Sequence, residues 1–184
     1  MTIQSIIEGV IAREGGFVDN PNDRGGATCW GITEAVARKC GYTGAMRDLP
    51  RDLAAKIYFQ DYVVAPGFMR IAAINTAIGA KLVDAGVNCG PGNPSRWLQR
   101  TLNLLNRQGK QFPDLVIDGK LGPATQFALQ AVLRQRGDDG DGEKLIIACL
   151  KGLQVAYYID ITEHRPANEE FFAGWILNRV LEAA

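Results

Sequence analysis

The sequence predicts an α+β fold, predominantly α-helical, with one small β-hairpin. Three observations carry this reading. Apolar residues recur at helical spacing along most of the 184-residue chain. Most of those runs are bounded by Gly, Pro or Asn where a helix should start or stop. One Gly-rich stretch, Ala27 to Ile32, instead has the look of a short hairpin. The length suits one domain, or one domain with a small C-terminal lobe. The run Asn88-Cys-Gly-Pro-Gly-Asn-Pro-Ser is the best boundary. It separates a region 1–90 from a helical region 91–184, the two expected to pack into one compact unit.

Taken in order, Ile3, Ile6, Ile7, Val10 and Ile11 place one apolar face on a helix over residues 2–13, which Gly15 and Gly16 stop. A polar loop with Asp19 and Asp23 follows, forced to turn by Pro21, Gly25 and Gly26. After the hairpin, Glu34 to Cys40 reads as a short helix ended by Gly41. Pro50 suits the first turn of the next, which runs through Leu53, Ile57 and Tyr58. Pro66 and Gly67 break the chain before a long apolar helix, 71–87, whose small residues Ala72, Ala77, Gly79 and Ala80 allow close packing. Asp84 within it needs a partner if it is buried, and a surface position is equally open.

Asn93 and Pro94 start a helix with Trp97, Leu98, Leu102 and Leu105 on its apolar stripe. Asp118-Gly119 makes a turn, Gly122 permits a second, and Pro123 opens another helix. The acidic stretch Gly137 to Gly142 lacks the spacing of an EF-hand and reads as a solvated turn. Two helices finish the chain. The first runs from Glu143 to His164 and ends before Pro166. Asn168 is expected to cap the second, which carries Phe171, Phe172, Trp175, Leu177 and Val180.

Formal charge balances to zero, with 20 basic and 20 acidic residues. The field of a nucleic-acid binder is therefore not expected. No apolar run is read as long enough to span a membrane, so no stable membrane insertion is expected. Residues Met1 to Ser5 carry no basic residue and Glu8 interrupts the first apolar run, which is unlike a signal peptide. The four cysteines, Cys29, Cys40, Cys89 and Cys149, have no metal-type spacing, and His164 is the one histidine. No metal or cofactor is expected, and the cysteines are read as buried free thiols.

The chemistry concentrates between Arg13 and Thr33. Glu14 falls at a helix C-terminus, where the dipole disfavours a carboxylate and holds the proton more tightly. Phe17 or Trp30 packed over it would act the same way. Asp23, in a polar loop, stays ionised. One acid biased toward protonation and one left ionised is the pairing that glycoside hydrolysis requires. The hydroxyl of Thr28 or Thr33 would orient a water or hold the second acid. The plainer readings are a solvated acid at a frayed helix end for Glu14, a strand residue for Thr28 and an N-cap for Thr33.

The run Glu14-Gly-Gly-Phe17, followed by Asp23-Arg-Gly-Gly-Ala-Thr-Cys-Trp-Gly-Ile-Thr33, resembles the N-terminal signature of the family 108 glycoside hydrolases. These are phage endolysin-type N-acetylmuramidases whose usual motif is Glu-Gly-Gly-Tyr with a later Tyr-Gly-Ile-Thr. Phe17 and Trp30 stand where the family has tyrosines. The family's essential glutamate falls on Glu14. The Glu, eight residues, Asp, then Thr order also resembles the phage lysozymes of the T4 type, which suggests Asp23 and Thr28 as partners. Tyr58 and Tyr62 match a Tyr-x-x-x-Tyr element of the family, a possible wall of a sugar groove, with core packing the alternative for Tyr58. Asp84 and Asn88 match its Asp-x-x-x-Asn, and Gly174-Trp175 with Asn178-Arg179 matches a late pattern. From Asn93 onward the chain resembles a peptidoglycan-binding-type region, most clearly at Asp118-Gly-Lys-Leu-Gly-Pro-Ala-Thr125, a motif read as mainly architectural.

The resemblance implies a lysozyme-like fold and hydrolysis of the β-1,4 bond between N-acetylmuramic acid and N-acetylglucosamine. The catalytic residues would be Glu14, Asp23, Thr28 and Thr33, with Phe17, Trp30, Tyr58, Tyr62 and Asn88 on the substrate. It further implies a monomer made in a host bacterial cytoplasm and let out to peptidoglycan glycan strands by a holin-type lesion. A lytic transglycosylase, a non-catalytic wall-binding or secretion-associated protein, and a chitinase are the alternatives.

Overall fold

The computed structural model describes residues 2–19, 27–136 and 141–181. Packing divides the chain into two compact units, residues 2–61 and the chain from Tyr62 onward.

The first unit opens with α1, Ile3–Glu14. A reciprocal cap starts it: the Ser5 N–H donates to Thr2 Oγ1 and the Thr2 N–H donates to Ser5 Oγ, both at 3.0 Å. The helix buries Ile6, Ile7, Val10 and Ile11 and packs on α3, Arg51–Phe59, which buries Ala54, Ile57 and Tyr58. Between them lie three two-residue strands, β1 Phe17–Val18, β2 Thr28–Cys29 and β3 Ile32–Thr33, in one antiparallel sheet of order β1-β2-β3. Thr28 pairs with Thr33 and Cys29 with Ile32 across the expected hairpin. The pairing of Phe17 with Cys29 and of Val18 with Thr28 adds a third strand that the sequence did not announce. Two residues carry no alternation to read. Helix α2, Glu34–Lys39, follows directly on β3.

The second unit is all helix and loop among the described residues. It contains α4, Phe68–Ala72, and α5, Thr76–Cys89. The expected single helix over 71–87 is therefore two. Asn75 breaks it, its side-chain oxygen accepting the Ile78 N–H at 2.9 Å as an N-cap. A Cβ at Gly79 would overlap Ala72, so the two helices close on each other through small residues, as expected. Helices α6, Gly92–Leu105, and α8, Asp141–Glu163, pack on α5 and on each other, and α7, Pro123–Gln135, packs on α6 and α8. Phe68, Ile78, Leu82, Leu98, Leu102, Leu129, Ile146 and Leu150 form the core. Helices α4 and α5 belong to this packing, so the second compact unit begins at Tyr62.

Several expectations are corrected here. Helix α8 is long and apolar enough to cross a membrane by length and composition, although no such run was expected. Lys151 and Gln154 interrupt its apolar sequence, which hid its mean character. One face of it, Ile146, Leu150, Gln154 and Tyr158, is buried within this unit. Asn168 precedes the last helix, α9, Glu169–Trp175, but does not cap it through its side chain. Its amide donates instead to the Ile161 carbonyl at 2.9 Å. Only Cys29 and Cys89 are buried; Cys40 and Cys149 are exposed, and all four are free. Residues 137–140 of the acidic stretch lie outside the described residues.

Two buried polar devices hold the second unit. Asp84, 3% exposed, pairs with Lys81 at 3.2 Å and with Arg179 at 3.7 Å, while Lys81 Nζ also donates to the Arg179 carbonyl at 3.0 Å. The surface alternative for Asp84 is thereby removed. The second device zips the loop between α6 and α7. Gln99 donates to Asp118 Oδ1 and the Lys120 carbonyl and accepts from the Gly119 N–H. Asn103 donates to the Leu115 carbonyl and accepts from its N–H. Asn106, with no exposed surface, donates to the Phe112 carbonyl and Asp114 Oδ1 and accepts from the N–H groups of Gln111 and Phe112. Three amides on successive turns of α6 thus satisfy a loop that has no ladder of its own.

Candidate active site

Glu14 is the last residue of α1, and Gly15 leaves the helix at φ 72°. It lies at the helix C-terminus, as expected, and its side chain is exposed, as in the plainer reading. The tip of the β2–β3 hairpin comes close to its stem. The two-residue connection is Trp30-Gly31, with φ of 54° and 74°. Positive φ at both central residues is the signature of a type I′ turn, whose twist matches that of the flanking strands. Gly31 suits such a position. Trp30 does not, and a bulky residue there is strained.

The strain is held from two sides. The Trp30 indole N–H donates to the Leu49 carbonyl at 2.9 Å, and the Tyr58 hydroxyl donates to the Trp30 carbonyl at 3.2 Å. The tip is pressed closely into place. A Cβ on Gly31 would run into the Tyr58 hydroxyl and would stand 2.9 Å from Glu14 Cγ. Glycine is therefore required here for shape as well as for φ. Glu14, Trp30, Gly31 and Tyr58 meet at one point, although they come from α1, the hairpin and α3.

The other expected residues fall as follows. Phe17 is exposed, and the Arg47 guanidinium lies over its ring at 5.5 Å from the centroid. Tyr58 is buried, so its ring is not a stacking surface for sugar; its hydroxyl positions the hairpin tip instead. Thr33 is the N-cap of α2, its hydroxyl oxygen accepting the Val36 N–H at 3.4 Å. Thr28 is half-buried directly opposite Thr33 in the sheet. Asp23 lies outside the described residues. Tyr62 and Asn88 belong to the second unit. There, the Asn88 amide donates to the Asp84 carbonyl at 2.7 Å at the end of α5.

The Cys29 thiol is pushed up by burial, which disfavours the thiolate a nucleophile needs. Among the described residues, no group of three or more His, Cys, Asp or Glu side chains is placed to hold a metal ion. What the corner offers is an exposed carboxyl group at the end of α1 whose stem lies close to a tightly built turn. Sequence reasoning found Glu14, Trp30 and Tyr58 but missed Gly31 and Leu49. Gly31 had a signal, since a two-residue hairpin loop needs positive φ. Leu49 had none, because it contributes only a carbonyl.

The helical architecture with its small three-stranded antiparallel sheet is an α+β fold of the lysozyme-like class. Residues 7–90 match the glycosyl hydrolase 108 family and residues 93–180 match a predicted peptidoglycan domain. The N-terminal part is thus similar to the glycosyl hydrolase 108 family and the C-terminal part to a peptidoglycan domain, and together they make the chain a peptidoglycan hydrolase. Its fold is similar to that of the solved structure of Brucella abortus SagA, at 24% identity and a TM-score of 0.61, covering 98% of this chain and 90% of that one. No curated protein matches the chain.

Proposed function

We propose that this protein is an N-acetylmuramidase, cutting the β-1,4 bond between N-acetylmuramic acid and N-acetylglucosamine. Glu14 protonates the leaving glycosidic oxygen as general acid. The observation that carries the reading is the seat of Glu14. It is an exposed carboxyl group whose stem lies close against the Trp30-Gly31 turn, itself held by Tyr58 and Leu49. The turn restricts the stem on that side, which favours placing the acid for proton transfer to a bound oxygen.

In this reading Asp23 stabilises the oxocarbenium-like transition state or activates water. Thr28 and Thr33 position that water; the Thr33 oxygen receives the Val36 N–H, which leaves its own proton to donate. Phe17 and Trp30 offer rings to the sugar, while Tyr58 acts through the turn. Tyr62 and Asn88 complete the substrate contacts. Residues 1–90 carry the chemistry and 91–184 engage the wall. The biological setting is that of a phage endolysin: a monomer made in the host cytoplasm, released by a holin-type partner, and lytic to bacteria.

Mass spectrometry of soluble products from purified peptidoglycan, run beside Glu14→Gln, tests this. Reducing muramic-acid ends from wild type are expected, with a loss of about a thousandfold in the variant and little change in its unfolding midpoint. Anhydro-muramic ends would make the protein a transglycosylase. Equal product from folded Glu14→Gln would remove Glu14 from the chemistry.

A further inference from the structure

The loop zipped by Gln99, Asn103 and Asn106 has an outward face that the fold does not use. Together with the start of α7 it borders a groove of about 440 Å³, a size that suits a small ligand. Its walls are apolar, and two of them are displayed to solvent: Val116 is 79% exposed and Phe127 is 52% exposed. A loop ordered by side-chain amides can hold such residues outward at fixed positions, where an unsupported loop would fold them in.

The polar groups of the groove divide sharply. Its neutral polar side chains, Gln99 and Thr125, are committed to the loop itself, Thr125 through a 3.4 Å bond to the Lys120 carbonyl. The groups left over are formal charges: Asp114, Asp118 and Lys120. Each carboxylate is gripped through Oδ1 by an α6 amide, Asp114 by Asn106 at 2.8 Å and Asp118 by Gln99 at 2.9 Å. The second oxygen of each accepts no hydrogen bond from the described residues, and Lys120 makes no ion pair with them. Gln99 and the Lys120 N–H hold Asp118 below the usual carboxylate range, so it is charged across neutral pH.

Two oriented carboxylates and one ammonium beside apolar walls do not suit the glycan strand of peptidoglycan, whose sugars are neutral once the lactyl carboxyl is amidated. They suit its stem peptide, which combines alanine methyls, free carboxylates and a diamino-acid ammonium. We infer that this groove receives the stem peptide of peptidoglycan, with Asp114 and Asp118 facing the diamino-acid ammonium, Lys120 facing a carboxylate, and Val116 and Phe127 against the alanine methyls. The inference rests on the reading of the wall as substrate, and it makes the C-terminal region a reader of peptide rather than of sugar.

The test is calorimetric titration of the intact wild-type protein with the free tetrapeptide L-alanyl-D-glutamyl-meso-diaminopimelyl-D-alanine. The same titration is run with that peptide acetylated on its side-chain amine, and with the peptide-free disaccharide. The free tetrapeptide should bind saturably. Acetylation should weaken it by about tenfold or more, as should the double change Asp114→Asn with Asp118→Asn, which keeps an oxygen for each α6 amide. The disaccharide should not compete. Equal binding of free and acetylated peptide, no peptide binding at all, or competition by the disaccharide would overturn the inference. Peptidoglycan hydrolysis by the same wild-type sample is scored separately. Hydrolysis without peptide binding sinks the groove alone, and peptide binding without hydrolysis sinks the muramidase alone.

Discussion

The two compact units solve opposite problems. The unit 2–61 sets one exposed acid beside a corner shaped by backbone: a strained Trp30, a glycine with no room for a Cβ, and a two-residue turn. The unit from Tyr62 onward buries its polar groups and saturates them, with Lys81, Asp84 and Arg179 in one place and three amides in another. The difference teaches where each is vulnerable. The first should lose function before stability, and the second stability before function.

The largest effect that sharpens this contrast is Asp84→Ala. It leaves the Lys81 ammonium, 5% exposed, facing only the Arg179 carbonyl. Lys81 is already pushed down by burial, against the pull of Asp84, so its charge depends on that partner. A loss of about 3–5 kcal/mol is expected by urea unfolding, with hydrolysis per folded molecule nearly unchanged. A proportionate loss of turnover would break the contrast.

Next comes a pH effect. Burial pushes the Cys89 thiol up to about 11. A group raised in the folded state contributes stability that is complete below its unfolded pKa and fades as pH rises toward the folded one. Wild type should therefore lose on the order of 2–3 kcal/mol more than Cys89→Ala between about pH 8.5 and 11. Parallel urea curves for the two proteins over that window would show that Cys89 does not titrate this way.

The smallest stability change and the most informative activity change come from Gly31→Ala. The positive φ costs about 1–3 kcal/mol for a non-glycine residue, and the new methyl displaces Glu14 or Tyr58. Peptidoglycan hydrolysis should fall by about a hundredfold, out of proportion to a thermal shift of a few degrees. Full activity in this variant would mean that the seat of Glu14 does not matter.

Much of this was legible in the chain. Gly15-Gly16 ended α1 at Glu14 because glycine is the residue that leaves a helix cheaply, and the Gly-rich stretch from Ala27 to Ile32 marked the hairpin. The break at Asn75 was hidden because flanking Ala and Ile residues continue the apolar rhythm, so a capping asparagine looked like a helix-interior one. The burial of Asp84 could not be read, since Arg179 lies far along the chain. The amide zipper left a trace that went unused. Gln99, Asn103 and Asn106 share a helical face beside the Leu98–Leu102 stripe, next to a loop with no pairing pattern for its backbone. A loop of that kind needs side-chain partners, and amides at helical spacing are the natural source. The contribution of Asp23 to the candidate site lies outside the described residues.

That zipper has one more consequence. Asn103, and Gln99 and Asn106 for the most part, grip the loop by its main chain. Val116 and Ile117, pointing outward, therefore owe the fold little. The loop is a display frame: positions 116 and 117 can be randomised while α6 keeps the path of the backbone. A library built there would vary the side chains that one unchanged scaffold displays to solvent.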